Sequence, residues 1–190
     1  MGKKTYFCSM KRIILVTGGQ RSGKSAYAER LALQLSPTPL YIATARVWDD
    51  EMRHRVRLHQ ERRGPSWITI EQDGLLGDID ISGRVALIDC VTHWCTNRFL
   101  DMSGPDGTLP DTSDVVAVLK RDFDRLTTQE GTFVFVTNEI GCGGISANAM
   151  MRRFADVQGL INQHIASAAD EVVLMVSGIG VTIKGGNSNN

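Results

Sequence analysis

Eight residues, Gly18-Gly19-Gln20-Arg21-Ser22-Gly23-Lys24-Ser25, constrain this chain more than any other stretch, because they fill every fixed position of the pattern G-x-x-x-x-G-K-[ST]. Backbone N–H groups can wrap a phosphate chain only where no Cβ blocks its approach, so glycines open and close such a loop. Lys24 adds a mobile positive charge for the outer phosphates. Ser25, in the first turn of the following helix, offers a hydroxyl to Mg²⁺, and the helix N-terminus itself favours anions. The flanks agree with this reading. Ile13 to Thr17 is a β-branched apolar run, and Ala26, Ala28, Leu31, Ala32 and Leu35 recur at helical spacing.

The pattern continues as alternating strands and helices. Leu40 to Ala45 reads as a second strand after the Ser36-Pro37-Thr38-Pro39 break. Asp49-Asp50-Glu51 opens a helix that runs to about Arg63, where Gly64-Pro65 ends it. Trp67 to Glu71 and Val85 to Cys90 are strands, Trp94 to Leu100 is a helix, and the turn-rich stretch between Asp101 and Ser113 is a surface loop with no core role. A helix over Val115 to Leu126 precedes the strand Thr132 to Thr137. Asn148 caps a long helix with Phe154, Val157, Ile161, Ile165 and Ala168 on one face, and Gly159 within it suggests close packing. Glu171 to Val176 and Val181 to Lys184 close the sheet. Continuous apolar strands between helices imply an α/β fold, a P-loop NTPase (RecA-like) with a mostly parallel sheet and helices on both faces. One domain is expected over residues 11–184, with terminal extensions at 1–10 and 185–190.

Composition narrows the function by exclusion. Lys+Arg and Asp+Glu both number 21, so no global field favours nucleic acid or an anionic membrane. No apolar run approaches the roughly 20 residues of a membrane span. A soluble, cytoplasmic enzyme is expected. Cys8, Cys90, Cys95 and Cys142 form no C-x-x-C pair and read as reduced thiols.

In a parallel sheet of this kind, ligands gather beyond the carboxyl ends of the strands, near the loops after Thr17, Ala45, Cys90 and Thr137. Asp89, ending an apolar strand, can reach Mg²⁺ beside Ser25, or simply cap the next helix. His59 shares its short helix with Arg53, Arg55, Arg57, Arg62 and Arg63. A neutral imidazole there is a nucleophile toward phosphorus with arginines to hold the phosphates; the alternative is a structural histidine on a solvated basic face. His54, His93 and His164 have no better claim. Neither glycine loop completes G-x-G-x-x-G, which sets dinucleotide binding aside.

Taken together, Thr17 to Ser25, Tyr41-Ile42-Ala43-Thr44, Asp50-Glu51-Met52 with Arg55-Val56-Arg57-Leu58-His59, Thr137-Asn138-Glu139-Ile140-Gly141, and Ala169-Asp170-Glu171-Val172 through Ser177-Gly178-Ile179 resemble one family from Ile13 to Lys184. It is the bifunctional adenosylcobinamide kinase / adenosylcobinamide-phosphate guanylyltransferase family. The resemblance implies two reactions: phosphorylation of adenosylcobinamide by ATP or GTP, then transfer of GMP from GTP, through a guanylyl-histidine, to adenosylcobinamide phosphate. It implies that His59 carries the guanylyl group and Lys24 assists. It further implies that Gly18 to Ser25, Ala43, Thr44, Ala45, Gln60, Glu61, Arg62, Arg63, Glu71 and Asp89 bind nucleotide, that Ser25 and Asp89 hold Mg²⁺, and that the chain forms a homotrimer. Asp89 stands where the family pattern has Glu, and residues 144–147 lack its usual proline and acid. The rival readings are a small-molecule kinase or ATPase with no covalent step, and a nucleotide-dependent regulatory protein.

Overall fold

The computed structural model describes residues 11–47, 50, 53, 57, 64–81 and 83–185. Its centre is a seven-stranded sheet. In chain order the strands are β1 (Arg12–Gly18), β2 (Leu40–Ala43), β3 (Ile68–Glu71), β4 (Val85–Asp89), β5 (Thr132–Val136), β6 (Glu171–Val176) and β7 (Ile179–Lys184). Across the sheet they lie in the order β3-β2-β4-β5-β1-β6-β7. Strands β1 to β6 run parallel and only β7, at one edge, runs antiparallel to its neighbour. The helices are α1 (Lys24–Leu35), α2 (Val91–Asp101), α3 (Thr112–Leu126) and α4 (Ala149–Ala168). Asp50, Arg53 and Arg57 also have helical backbone.

Both sheet faces are apolar because successive strand residues point to opposite sides. Ile13, Leu15, Ala86, Ile88, Phe133 and Phe135 face a core completed by Trp94, Leu119, Phe123 and Ile161 from α2, α3 and α4. Ile14, Val16, Leu87, Val134 and Val136 face the other side, where Ala28 and Ala32 of α1 lie against them. Small residues let α1 sit close to the sheet, which holds the helix N-terminus beside the strand ends.

Polar groups fix where the helices begin. Asp111 accepts from the Ser113 N–H at 2.7 Å and starts α3. Asn148 accepts from the Met151 N–H at 3.2 Å and starts α4, as its sequence position predicts.

Several expectations are corrected. Helix α2 begins at Val91, directly off β4, rather than at Trp94. The stretch before α3 does contribute to the interior: Leu109 packs on the core and Pro110 is buried. Ala168 is exposed at the end of α4, and the next residue, Ala169, is buried in its place. Gly159 serves no close approach, since a Cβ built there meets no atom within 4 Å.

Candidate functional site

The loop between β1 and α1 is a cradle whose shape depends on two glycines. Gly18 has φ 147°, and a Cβ on it would lie 2.4 Å from the Met175 carbonyl oxygen, so β6 leaves room for hydrogen only. Gly23 caps α1 at φ 94°. The Gly178 N–H donates to the Ser22 carbonyl at 2.9 Å, which ties the loop to the turn between β6 and β7. Gly19 is exposed, with no atom near its missing Cβ. Gln20 and Arg21 are exposed beside it.

Lys24 is buried, at 7 % exposure, and its Nζ donates to the Gly19 carbonyl at 2.6 Å. Burial lowers its pKa, opposed by Cys90 and by the Asp89 carboxylate. The ammonium is thus anchored on the loop it serves. Ser25 Oγ lies 3.4 Å from Asp89 Oδ1. The other carboxylate oxygen, Oδ2, accepts from the Tyr41 hydroxyl at 2.6 Å, and Tyr41 is itself held edge-on by Trp67 at 5.7 Å. A hydroxyl and a carboxylate oxygen at this separation suit two adjacent ligands of one Mg²⁺, whose oxygen distances are about 2.1 Å. The described residues contain no group of three or more His, Cys, Asp or Glu able to bind a metal alone. The oxygen pair therefore fits a cation that also draws ligands from phosphate.

Along the carboxyl edge, register brings the remaining predicted residues level. Glu71 pairs with Ala43, Ala43 with Asp89, and Asp89 with Val136, which also pairs with Val16 of β1. Glu71, on β3, is exposed and stands four strand spacings from β1, roughly 19 Å at the usual inter-strand distance. Thr44 differs from its neighbours. It is fully buried, its hydroxyl donating to the Cys90 carbonyl at 2.7 Å and accepting from the Cys90 N–H at 2.8 Å. Its side chain clamps β2 to the end of β4, so the accessible surface of this trio belongs to Ala43 and Ala45. His59, Gln60, Glu61, Arg62 and Arg63 lie outside the described residues.

Cys90, His93, His164 and Arg46 are held by burial or by hydrogen bonds. Burial and the Asp89 carboxylate push the Cys90 thiol up to about 12, so it stays protonated at neutral pH. His93 is half-buried, and burial lowers its pKa against the pull of Asp89. His164 bonds Asp124 at 2.9 Å. Arg46, just past Ala45, donates to Asp73 at 2.7 Å and to Asp101 at 2.9 Å, fixing where the chain leaves the sheet.

Sequence reasoning missed Tyr41 as the partner of Asp89, and it read the polar turn after β5 as a site without assigning a role to Glu139, whose carboxylate accepts from the Thr17 hydroxyl at 2.8 Å beside the phosphate loop. A signal for the second was present: polar residues directly after an apolar strand.

The profile of the cobinamide kinase / cobinamide phosphate guanyltransferase family matches residues 14–183. The chain belongs to this family. Members described as bifunctional adenosylcobalamin biosynthesis proteins are similar over nearly their whole length. CobU of Escherichia coli strain K12 is 40 % identical over 183 residues, covering 90 % of this chain and 99 % of the relative. CobP of Pseudomonas aeruginosa is 34 % identical over 177 residues, covering 90 % and 96 %. Among solved structures, an ATPase from the type III secretion system of pathogenic bacteria superposes with a TM-score of 0.52 at 11 % identity, covering 91 % of this chain and 57 % of that one. At that identity the likeness speaks for the P-loop fold alone. As a family member the chain is an enzyme of the transferase class.

Proposed function

We propose that this member of the family phosphorylates the hydroxyl of adenosylcobinamide with ATP or GTP, then moves GMP from GTP through His59 onto the new phosphate, giving adenosyl-GDP-cobinamide. The observation that carries the reading is the alignment of a glycine-lined cradle, Lys24 and the Ser25–Asp89 oxygen pair with Ala43 and Glu71 along one strand edge. The loop amides and Lys24 hold phosphates that must carry extra charge as a phosphorus–oxygen bond breaks. Ser25 and Asp89 would hold Mg²⁺, which supplies charge neutralisation at those phosphates.

In the guanylyl half-reaction a ring nitrogen of His59 attacks the α-phosphorus and the bond to the pyrophosphate oxygen breaks. An oxygen of the cobinamide phosphate then attacks the phosphoramidate, and the His59 nitrogen leaves. Arg62 and Arg63 are proposed to hold the nucleotide, and Ala43, Ala45 and Glu71 its base and ribose. A homotrimer in the cytoplasm, with residues 11–184 as the working domain, completes the proposal. The deciding experiment is incubation with GTP labelled at the α-phosphate. An acid-labile, alkali-stable protein adduct, absent in His59→Ala and discharged by cobinamide phosphate, is the expected result. Label retained in His59→Ala, or no adduct in the wild type, refutes the covalent step.

A further inference from the structure

The turn Asn138-Glu139-Ile140-Gly141 after β5 has no part in this scheme, yet it sits in a polar network that a simple turn does not require. The Glu139 N–H donates to the Gly18 carbonyl at 3.1 Å, where the phosphate loop begins. Its Oε1 accepts from the Thr17 hydroxyl at 2.8 Å and from the Asn162 amide at 3.2 Å. Asn162 also donates to the Asn138 carbonyl at 3.1 Å, while its own Oδ1 accepts from the Thr137 hydroxyl at 2.7 Å and the Gln158 amide at 2.9 Å.

Gln158 and Asn162 stand one turn apart on α4, at 0 % and 7 % exposure, among Val157, Ile161 and Ile165. Carboxamides in such a place are unfavourable unless their bonds are made, and apolar residues would cover the sheet without that demand; Asn162 makes its bonds, while Gln158 Oε1 is buried without a partner among the described residues. What the network achieves is the orientation of one carboxylate. Oε1 is engaged by two donors, whereas Oε2 has no partner among the described residues and is not a buried orphan. Glu139 is among the residues that line a cavity of about 290 Å³, with Gly18, Gly19 and Ser22 of the loop, Met175 of β6 and Ser177 just after it. An acceptor entering there meets the outer end of the phosphate cradle and Glu139 together. Asp89 is unsuited to the same task, since its two oxygens face Tyr41 and Ser25.

The geometry points to Glu139 as the general base of the phosphoryl-transfer half-reaction, with Asn162 and Gln158 as positioning residues. The assignment rests on the kinase reading above. The acceptor alcohol's oxygen attacks the γ-phosphorus. Its O–H bond breaks as the new O–P bond forms, the proton passes to Glu139 Oε2, and the bond from the γ-phosphorus to the bridging oxygen breaks to release nucleoside diphosphate. The carboxyl then returns its proton to water. A neutral alcohol needs such a base; the phosphate accepting GMP is already anionic at neutral pH and does not. Glu139 therefore separates the two activities.

The test is Glu139→Gln, in which the amide oxygen still accepts from Thr17 and Asn162 so that the loop keeps its shape. Expected are a fall of about 10²- to 10⁴-fold in kcat for cobinamide phosphorylation, unchanged KM for the nucleotide, and unchanged GMP transfer from GTP to preformed cobinamide phosphate. Glu139→Asp restores part of the kinase rate. Asn162→Ala removes a donor that holds Oε1, so kcat for cobinamide phosphorylation falls while the nucleotide KM and GMP transfer stay unchanged, a split that a purely structural role would not cause. Kinase activity retained in Glu139→Gln, or loss of both activities in equal proportion in Glu139→Gln or in Asn162→Ala, overturns the assignment. A wild-type chain without cobinamide kinase activity overturns it together with the kinase reading, and does so before any substitution is made.

Discussion

Replacing Gly159 by alanine raises the stability of this fold. The residue lies inside α4, where glycine is about 0.8–1.0 kcal/mol less favourable than alanine because the unfolded chain loses more backbone freedom on ordering. Nothing offsets that gain: the added methyl meets no atom within 4 Å and so neither clashes nor fills a cavity. For a chain of 190 residues, about 1 kcal/mol corresponds to a rise of roughly 2–4 °C in Tm. Urea unfolding followed by helical circular dichroism, at one fixed protein concentration, measures it as a higher midpoint at unchanged slope. Gly18→Ala is the control of opposite sign, since its Cβ would lie 2.4 Å from a backbone oxygen of β6. A neutral or lowered midpoint in Gly159→Ala refutes the reasoning, because it would mean that close packing, as the sequence suggests, does require the glycine.

Two further outcomes follow from buried and paired groups. Thr44→Val keeps the side-chain shape but removes the hydroxyl that serves both the N–H and the carbonyl of Cys90; the carbonyl keeps the Trp94 N–H at 3.2 Å, the orphaned Cys90 N–H costs about 1–3 kcal/mol, and an unchanged Tm in thermal unfolding refutes the clamp. Hydrogen bonding by Arg46 holds the Asp101 carboxyl below its ordinary 3.8. The unfolded state binds the proton more readily, so this stability is fully present above that value and is lost as pH falls through the depressed folded pKa. Asp101→Asn flattens the acid limb of stability, measured by denaturant unfolding between about pH 7 and 3; an acid limb parallel to the wild type's contradicts it.

The phosphate loop, the apolar strands and the cap at Asn148 were legible in the chain because each is a local device. A glycine at positive φ, a period of two in apolar residues and an oxygen three residues before an N–H act within a few residues of one another. Lys24, Ser25 and Asp89 were legible for the same reason, being placed by a loop or a strand end. Where the reading failed, at Leu109, Pro110 and Gly159, the outcome depended on what lies across the core.

By itself, the sequence determined that strands and helices alternate, that the sheet is apolar on both faces, and that a glycine-lined anion cradle follows the first strand. Tertiary structure alone decided that β5 stands between β1 and β4, which sets Glu139 against Thr17 although 122 residues separate them. It decided likewise that Tyr41 reaches Asp89 and that Thr44 turns inward to Cys90. Local propensity acts over one turn or one pleat, whereas strand order is settled by which faces bury the most apolar surface together. Partners joined only by that order leave no spacing in the chain for a reader to find.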